Sequence, residues 1–365
     1  MINTVKRHTR VSADIHSMSA GKESTMTRRS ENVLVTLPVL TAHRARLEAA
    51  MPGAAFTYKL ANTVRAGDVR DRTIIMGNIT PALLRNANAL RWLQLESAGA
   101  DAYTIPGAMP PEVMLTCSTG AYGHAVAEHA FAMYAALSKK LPLYRDAQSR
   151  RTWADRGDVR GLFGNTVLIA GFGNIGQTFA RLMRPLDSYI LGIGRCARND
   201  GLADELYETL DALDALLPRA DIALFCLPGT EATRHAMNGP RLARMKPTAI
   251  LLNVGRGIVI DTEALCDAVE SGRLFAAGLD VVDPEPLPSG HRLWGIENIL
   301  MTPHISGGYH LADTLNRIVD IWAENLSSYR DARPMRSVID RSLGYAVPES
   351  TRQKPLGGKP GMNGM

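Results

Sequence analysis

From Asn32 onward the chain alternates short apolar runs with longer stretches of helical spacing. "NVLVTLP" (32–38), "TIIMG" (73–77), "RWLQLES" (91–97) and "VMLTC" (113–117) read as buried strands. Between them lie the helical "AHRARLEAAM" and "PALLRNANAL", the latter opened by Pro81. A long helix follows from Gly123 to Ser138, "GHAVAEHAFAMYAALS", rich in Ala and Met and with almost no charged face. Such a helix is buried, in a core or between subunits, and a subunit interface is the expectation here. A second series then begins, with strands "TVLIAG" (166–171), "YILGIG" (189–194), "DIALFCLP" (221–228), "AILLNVG" (249–255), "FAAGLDV" (275–281) and "NILMTP" (298–303). About six strands is what a full dinucleotide-binding fold needs. The helix "LADTLNRIVDIWAENLSSY" (311–329) closes the series. Strands alternating with helices predict an α/β protein with doubly wound parallel sheets.

Length and composition fit two such domains, with 365 residues of which 45% are hydrophobic. The net charge of +5 is misleading. Residues 1–30 hold six Lys/Arg against two acids, and residues 341–365 four against one, so the stretch between carries −2. The basic character belongs to the ends, and no nucleic-acid partner is inferred from it. Both ends, 1–30 and 341–365, read as a disordered extension and tail. The cysteines, Cys117, Cys196, Cys226 and Cys266, are widely spaced, which predicts neither a disulfide framework nor a zinc site and fits a reducing cytoplasm. No metal site is expected: His124 and His129, five apart, do not share a helical face. No apolar run approaches the roughly 18 residues of a membrane span, and no G-x-S-x-G elbow supports serine hydrolase chemistry.

Gly171, Gly173 and Gly176 match G-x-G-x-x-G directly after a strand and before a helix. The first glycine permits a tight turn, the second lets backbone approach a pyrophosphate, and the third lets helix pack on strand. N–H groups at the helix start, near Asn174 and Ile175, would bind the phosphates. An acid about 20 residues further normally accepts from the ribose 2′-OH. Here the next strand ends at Gly194 and is followed by "GRCAR", with no carboxylate before Asp200. Arg195 and Arg198 suit a 2′-phosphate, which a guanidinium grips as a fork. NADP(H) is therefore expected over NAD(H).

Ligands of open α/β sheets bind beyond the carboxyl ends of the strands. Three late strands lead there to Arg256, Glu285 and His304. Arg256 can hold a carboxylate and polarise a neighbouring carbonyl. A histidine, with an ordinary pKa of about 6.5, exchanges protons at neutral pH. A paired Glu285 would favour the imidazolium of His304 and fix its tautomer. Together they fit hydride transfer at C2 of a 2-oxo acid, with the proton passing from His304 to oxygen.

"SAGAD" (97–101), "GFGNIG" (171–176), "LPGTEATRH" (227–235), "NVGRG" (253–257), "GLDVVDPEP" (278–286) and "TPHISGG" (302–308) occur in this order. With them the chain resembles the D-isomer-specific 2-hydroxyacid dehydrogenases over about residues 32–338. The resemblance implies two doubly wound domains, a Rossmann coenzyme domain at 122–304 and a flavodoxin-like substrate domain from 31–121 and 305–340. It implies catalytic roles for Arg256, Glu285 and His304, and substrate-carboxylate binding by the N–H groups of Ala98 and Gly99 together with Arg256. Asp280 would bind the nicotinamide carboxamide, with Leu227, Pro228, Thr233 and Val254 also at the coenzyme. The Ala-rich helix would sit in a homodimer interface. "GRCAR" looks like the coenzyme end of NADPH-using glyoxylate and hydroxypyruvate reductases. Arg292 and Glu297 replace two prolines of the family pattern, and "ISGG" replaces an "IGSAT"-like continuation. A dinucleotide-sensing binding protein or corepressor is the alternative on the same fold. A formate dehydrogenase would carry Gln where Glu285 stands.

Overall fold

The protein is described by a computed structural model covering residues 30–195, 201–309 and 311–346. Arg198 and the ends 1–29 and 347–365 lie outside these described residues.

Two parallel sheets organise the chain. The first contains β1 (Asn32–Val35), β2 (Ala55–Tyr58), β3 (Ile74–Met76), β4 (Trp92–Gln94) and β5 (Met114–Thr116), in the order β2-β1-β3-β4-β5. The second contains β6 (Thr166–Ala170), β7 (Tyr189–Ile193), β8 (Glu205–Tyr207), β9 (Ile222–Phe225), β10 (Ile250–Asn253), β11 (Ala276–Leu279) and β12 (Ile299–Met301). Its order is β12-β11-β10-β9-β6-β7-β8. The first order is that of flavodoxin-like folds; the second is a Rossmann order with one added strand. The two doubly wound domains read from the sequence are therefore present. Chain order reverses at β6 in the larger sheet, and such a switch point opens a crevice beyond the strand ends.

The central strands are short and mostly apolar because both faces of each sheet are covered there. Val33 and Val35 enter one core layer and Leu34 the opposite one; Ile250 and Leu252 likewise oppose Leu251. Two strands escaped the sequence reading, β2 ("AFTY") and β8 ("ELY"). Both are edge strands with mostly half-buried residues, so neither shows a continuous apolar run.

The Gly123–Ser138 helix forms where the sequence predicts it. Its buried residues, among them Val126, Ala130, Met133 and Leu137, belong to the core of this same chain, so a partner subunit is not needed to cover them. Beside Gly278 of β11, Met133 and Leu137 approach so closely that a Cβ there would lie 3.3 Å from each. The Ala312–Arg330 helix returns to the first domain: Asn325 donates to Gln94 Oε1 at 2.8 Å, and the Trp322 indole to Ser118 Oγ at 3.1 Å.

One expectation is corrected. Residues 341–346 are not a disordered tail. Ile339–Asp340 (β13) pairs antiparallel with Tyr345–Ala346 (β14), and Asp340 caps the turn by accepting from Ser342 N at 2.9 Å and Ser342 Oγ at 2.6 Å. A short hairpin of this kind is hard to read from polar, Gly-containing sequence, because its stability comes from the surface it lies on.

Candidate active site

The glycine turn leaves β6 at the switch point. Gly171 has φ +102°, and a Cβ there would stand 2.6 Å from the carbonyl oxygen of Cys226. A Cβ on Gly176 would lie 2.5 Å from Gly171 O. At Gly173 a Cβ would meet nothing within 4 Å, so this backbone faces open space. The helix Asn174–Met183 starts with no acidic residue in its first turn, and its first bond is Gln177 N to Gly173 O at 2.9 Å. The N–H groups of Asn174 and Ile175 thus precede the helical ladder and suit an anion. This shape fits a dinucleotide pyrophosphate.

Around the turn, Leu227 and Pro228 are half-buried beyond β9. Thr233 and Val254 lie deeper: both are buried, and the Thr233 hydroxyl donates to Pro228 O at 2.7 Å and accepts from Thr230 N at 2.9 Å. Arg195 follows β7 and is exposed, with its guanidinium carbon 4.5 Å from the centre of the Tyr345 ring.

β10, β11 and β12 are adjacent, so the loops after them share one edge. Arg256 follows β10, Glu285 follows β11 and His304 follows β12. The first two loops touch through backbone, since a Cβ on Gly257 would lie 1.9 Å from Val282 O. His304 has φ +52°, held by its N–H donating to Asp280 O at 2.8 Å. Its Nδ1 meets Glu285 Oε1 at 2.6 Å, with both side chains partly exposed at 45% and 41%. This contact directs the Nδ1 proton at the carboxylate and leaves Nε2 for the cleft.

From the first domain, the turn Ser97–Gly99 beyond β4 meets Arg256. A Cβ on Gly99 would fall 1.7 Å from Arg256 Nη2, so glycine is what allows the guanidinium to lie there. Among the described residues no acceptor faces the N–H groups of Ala98 and Gly99. Arg256 Nε and Nη2 both donate to Asp101 Oδ2, at 3.1 and 2.9 Å. The sequence reading missed Asp101. It stands inside "SAGAD", but only the packing of two domains brings it to an arginine 155 residues away.

Asp280 lies buried behind the loop that carries His304. It is 1% exposed, and its two oxygens accept from Thr302 Oγ1 at 2.6 Å, Ile305 N at 3.0 Å, Ser306 N at 3.1 Å and the Ser306 hydroxyl. Burial alone would raise its pKa; these four donors outweigh it and hold the carboxyl below its usual value. Asp280 therefore organises the loop that carries His304. His129, whose Nε2 is 2.9 Å from Thr302 Oγ1, braces the same loop from the long helix. Ser306 in "ISGG" is thereby explained, and Gly307 leaves room for Tyr122, 3.3 Å from where a Cβ would be. Trp294 is exposed at 58% and donates to Pro288 O at 2.9 Å, while Arg292 ties its turn to Glu263, Asp267 and Glu270 of the Thr262–Glu270 helix.

A histidine oriented by a carboxylate, beyond the carboxyl ends of the same sheet as a dinucleotide turn, fits a nicotinamide-dependent oxidoreductase. Residues 131–306 match the D-isomer specific 2-hydroxyacid dehydrogenase NAD binding domain. The chain is 30% identical over 279 residues to a glyoxylate reductase of Pyrococcus furiosus, covering 74% of this chain and 82% of that protein. A crystal structure of a D-isomer specific 2-hydroxyacid dehydrogenase family protein from Aeromonas salmonicida subsp. salmonicida A449 matches with a TM-score of 0.75 and 32% identity, over 86% of this chain and 99% of that one. A family structure from Xanthobacter autotrophicus Py2, in complex with NADPH and MES, matches with a TM-score of 0.71 and 25% identity, over 87% and 100%. The chain belongs to the D-isomer specific 2-hydroxyacid dehydrogenases and is an oxidoreductase of that family.

Among the described residues no helix is long and apolar enough to cross a membrane, and no cluster of His, Cys, Asp and Glu could hold a metal ion.

Proposed function

We propose that this protein is an NADP(H)-preferring reductase of small 2-oxo acids, of the glyoxylate or hydroxypyruvate kind, giving D-2-hydroxy acids. The observation that supports it best is the 2.6 Å pairing of His304 with Glu285 on the same sheet edge as Arg256. The coenzyme, when bound, supplies the hydride. Arg256, Glu285 and His304 are the catalytic residues of this reading. The N–H groups of Ala98 and Gly99 hold the substrate carboxylate together with the Arg256 guanidinium. His304 delivers its Nε2 proton to the carbonyl oxygen as C2 is reduced, and Glu285 holds the ring in place through Nδ1. Gly171, Gly173, Asn174, Ile175 and Gly176 cradle the pyrophosphate. The absence of a carboxylate in "GRCAR" supports the 2′-phosphate, and so does the NADPH complex of the Xanthobacter relative. The substrate domain comprises 31–121 and 305–340, and the coenzyme domain 122–304. The widely spaced cysteines support a cytoplasmic setting, and the partly exposed Phe131, Ala132 and Ala135 of the long helix support a homodimer contact.

The test is purified protein with NADPH or NADH and a panel of 2-oxo acids, followed by the loss of reduced-nicotinamide absorbance near 340 nm. Turnover of glyoxylate or hydroxypyruvate with a lower KM for NADPH is expected. Tight NADPH binding with no turnover of any 2-oxo acid would instead favour the sensing-protein alternative.

A further inference from the structure

The hairpin beyond Ile339 is anchored on the first domain. Val338 bridges Thr116 at the end of β5, and the Arg341 guanidinium donates to the carbonyls of Pro110, at 2.9 Å, and Val113. Ile339 and Ala346 pack into that domain's core layer. Gly344, at φ +79°, makes the turn possible, and its N–H returns to Asp340 O at 2.9 Å. At this turn the chain passes between the domains. A Cβ on Gly344 would be 4.0 Å from Thr104 of the first domain and equally 4.0 Å from Thr230 of the second. The next residue, Tyr345, lies under Arg195, ring centre to guanidinium carbon 4.5 Å.

Arg195 is the first residue after Gly194, at the strand end where a Rossmann fold meets the adenosine ribose. An exposed arginine samples many rotamers, and a phosphate fork needs one. A ring stacked on the guanidinium removes that freedom without using any of its N–H donors. We propose that Tyr345 is a positioning residue for recognition of the coenzyme 2′-phosphate, holding Arg195 from a hairpin that spans both domains. This rests on the NADP(H) reading above. It extends that reading to a segment lying outside the coenzyme domain.

The test uses the full chain and two probes, 2′,5′-ADP and 5′-AMP, with binding measured by titration calorimetry. Tyr345→Ala and Tyr345→Leu should weaken 2′,5′-ADP about two- to fivefold, the size of an exposed cation–π contact, and leave 5′-AMP unchanged. Tyr345→Phe should bind both probes like wild type, because the ring face and not the hydroxyl makes the contact. Equal weakening of both probes, no change in either, or tighter binding on removing the ring would each overturn the proposal. Arg195→Ala separates the two readings. If it abolishes the preference for 2′,5′-ADP while the Tyr345 variants do not alter it, only the role of Tyr345 falls. If Arg195→Ala leaves the preference intact, the 2′-phosphate assignment falls and takes this proposal with it.

Discussion

The His304 side chain has Nδ1 committed to Glu285, and the proposed general-acid role falls to Nε2. Replacing His304 by Ala should lower turnover of the 2-oxo acid by about 10²- to 10⁴-fold, the usual worth of a general acid. NADPH affinity should stay near wild type, since the glycine turn lies elsewhere; stopped-flow reduction and a separate binding titration check the two. Loss of binding along with turnover would mean the fold had been damaged. Glu96, beyond β4, offers a test at the same scale. Burial pushes its carboxyl above the ordinary 4.5, and hydrogen bonds from Tyr309 and Asn78 N only partly oppose this. The folded state therefore holds that proton more firmly than the unfolded chain does. Stability falls as pH rises through the interval just above the ordinary value. Glu96→Gln cannot ionise, so its melting temperature should exceed that of wild type at pH 7. By pH 4 the advantage should be gone. A constant difference across this range would remove Glu96 from the account.

At the level of elements, the active edge is set by how closely three loops lie. The loop after β10 rests on the loop after β11 with no side chain between them, because residue 257 is glycine. Gly257→Ala would force a methyl into the Val282 carbonyl, where only backbone movement gives room. Overpacking of this kind costs about 1–3 kcal/mol, and it should also shift the loop that carries Arg256. Thermal denaturation and kcat/KM should fall together; a drop in stability with unaltered kinetics would show that loop spacing does not set the geometry. The same tightness explains what was legible here. "NVGRG" and "TPHISGG" each follow an apolar run, so strand ends and their chemical residues could be read directly from order and spacing. The hydrogen-bond setting of Asp280 could not, because its four donors come from residues 22 to 26 positions later and meet it only once β12 lies beside β11.

Across the whole molecule, an ion pair links the two domains beyond the ends of β4 and β10. Arg256 donates twice to Asp101, and both side chains are partly exposed. Exposed pairs contribute only about 0–1 kcal/mol, so Asp101→Asn should shift the melting temperature little. Its effect should be functional. Without the carboxylate the guanidinium is no longer held over Gly99, and the KM for the 2-oxo acid should rise several-fold while NADPH binding is unchanged. Steady-state kinetics with both substrates varied would show this, and an unchanged KM would make the pair incidental. Domain-scale packing also moved one expectation. The hairpin at 339–346 is ordered because the first domain supplies acceptors for Arg341.

Whatever depends on neighbours in the chain was settled by the sequence: the strands buried on both faces, the glycine turn between β6 and its helix, and the residues that end up at strand termini. Those features arise from backbone sterics and local apolar periodicity, which a single sequence displays. Contacts between distant segments were decided only by tertiary structure. Asp101 on Arg256, Ser306 on Asp280 and Tyr345 under Arg195 join residues up to 155 positions apart. Their side chains are polar or half-exposed, so they leave no hydrophobic period, and nothing but the packing of sheets and domains determines which of them meet.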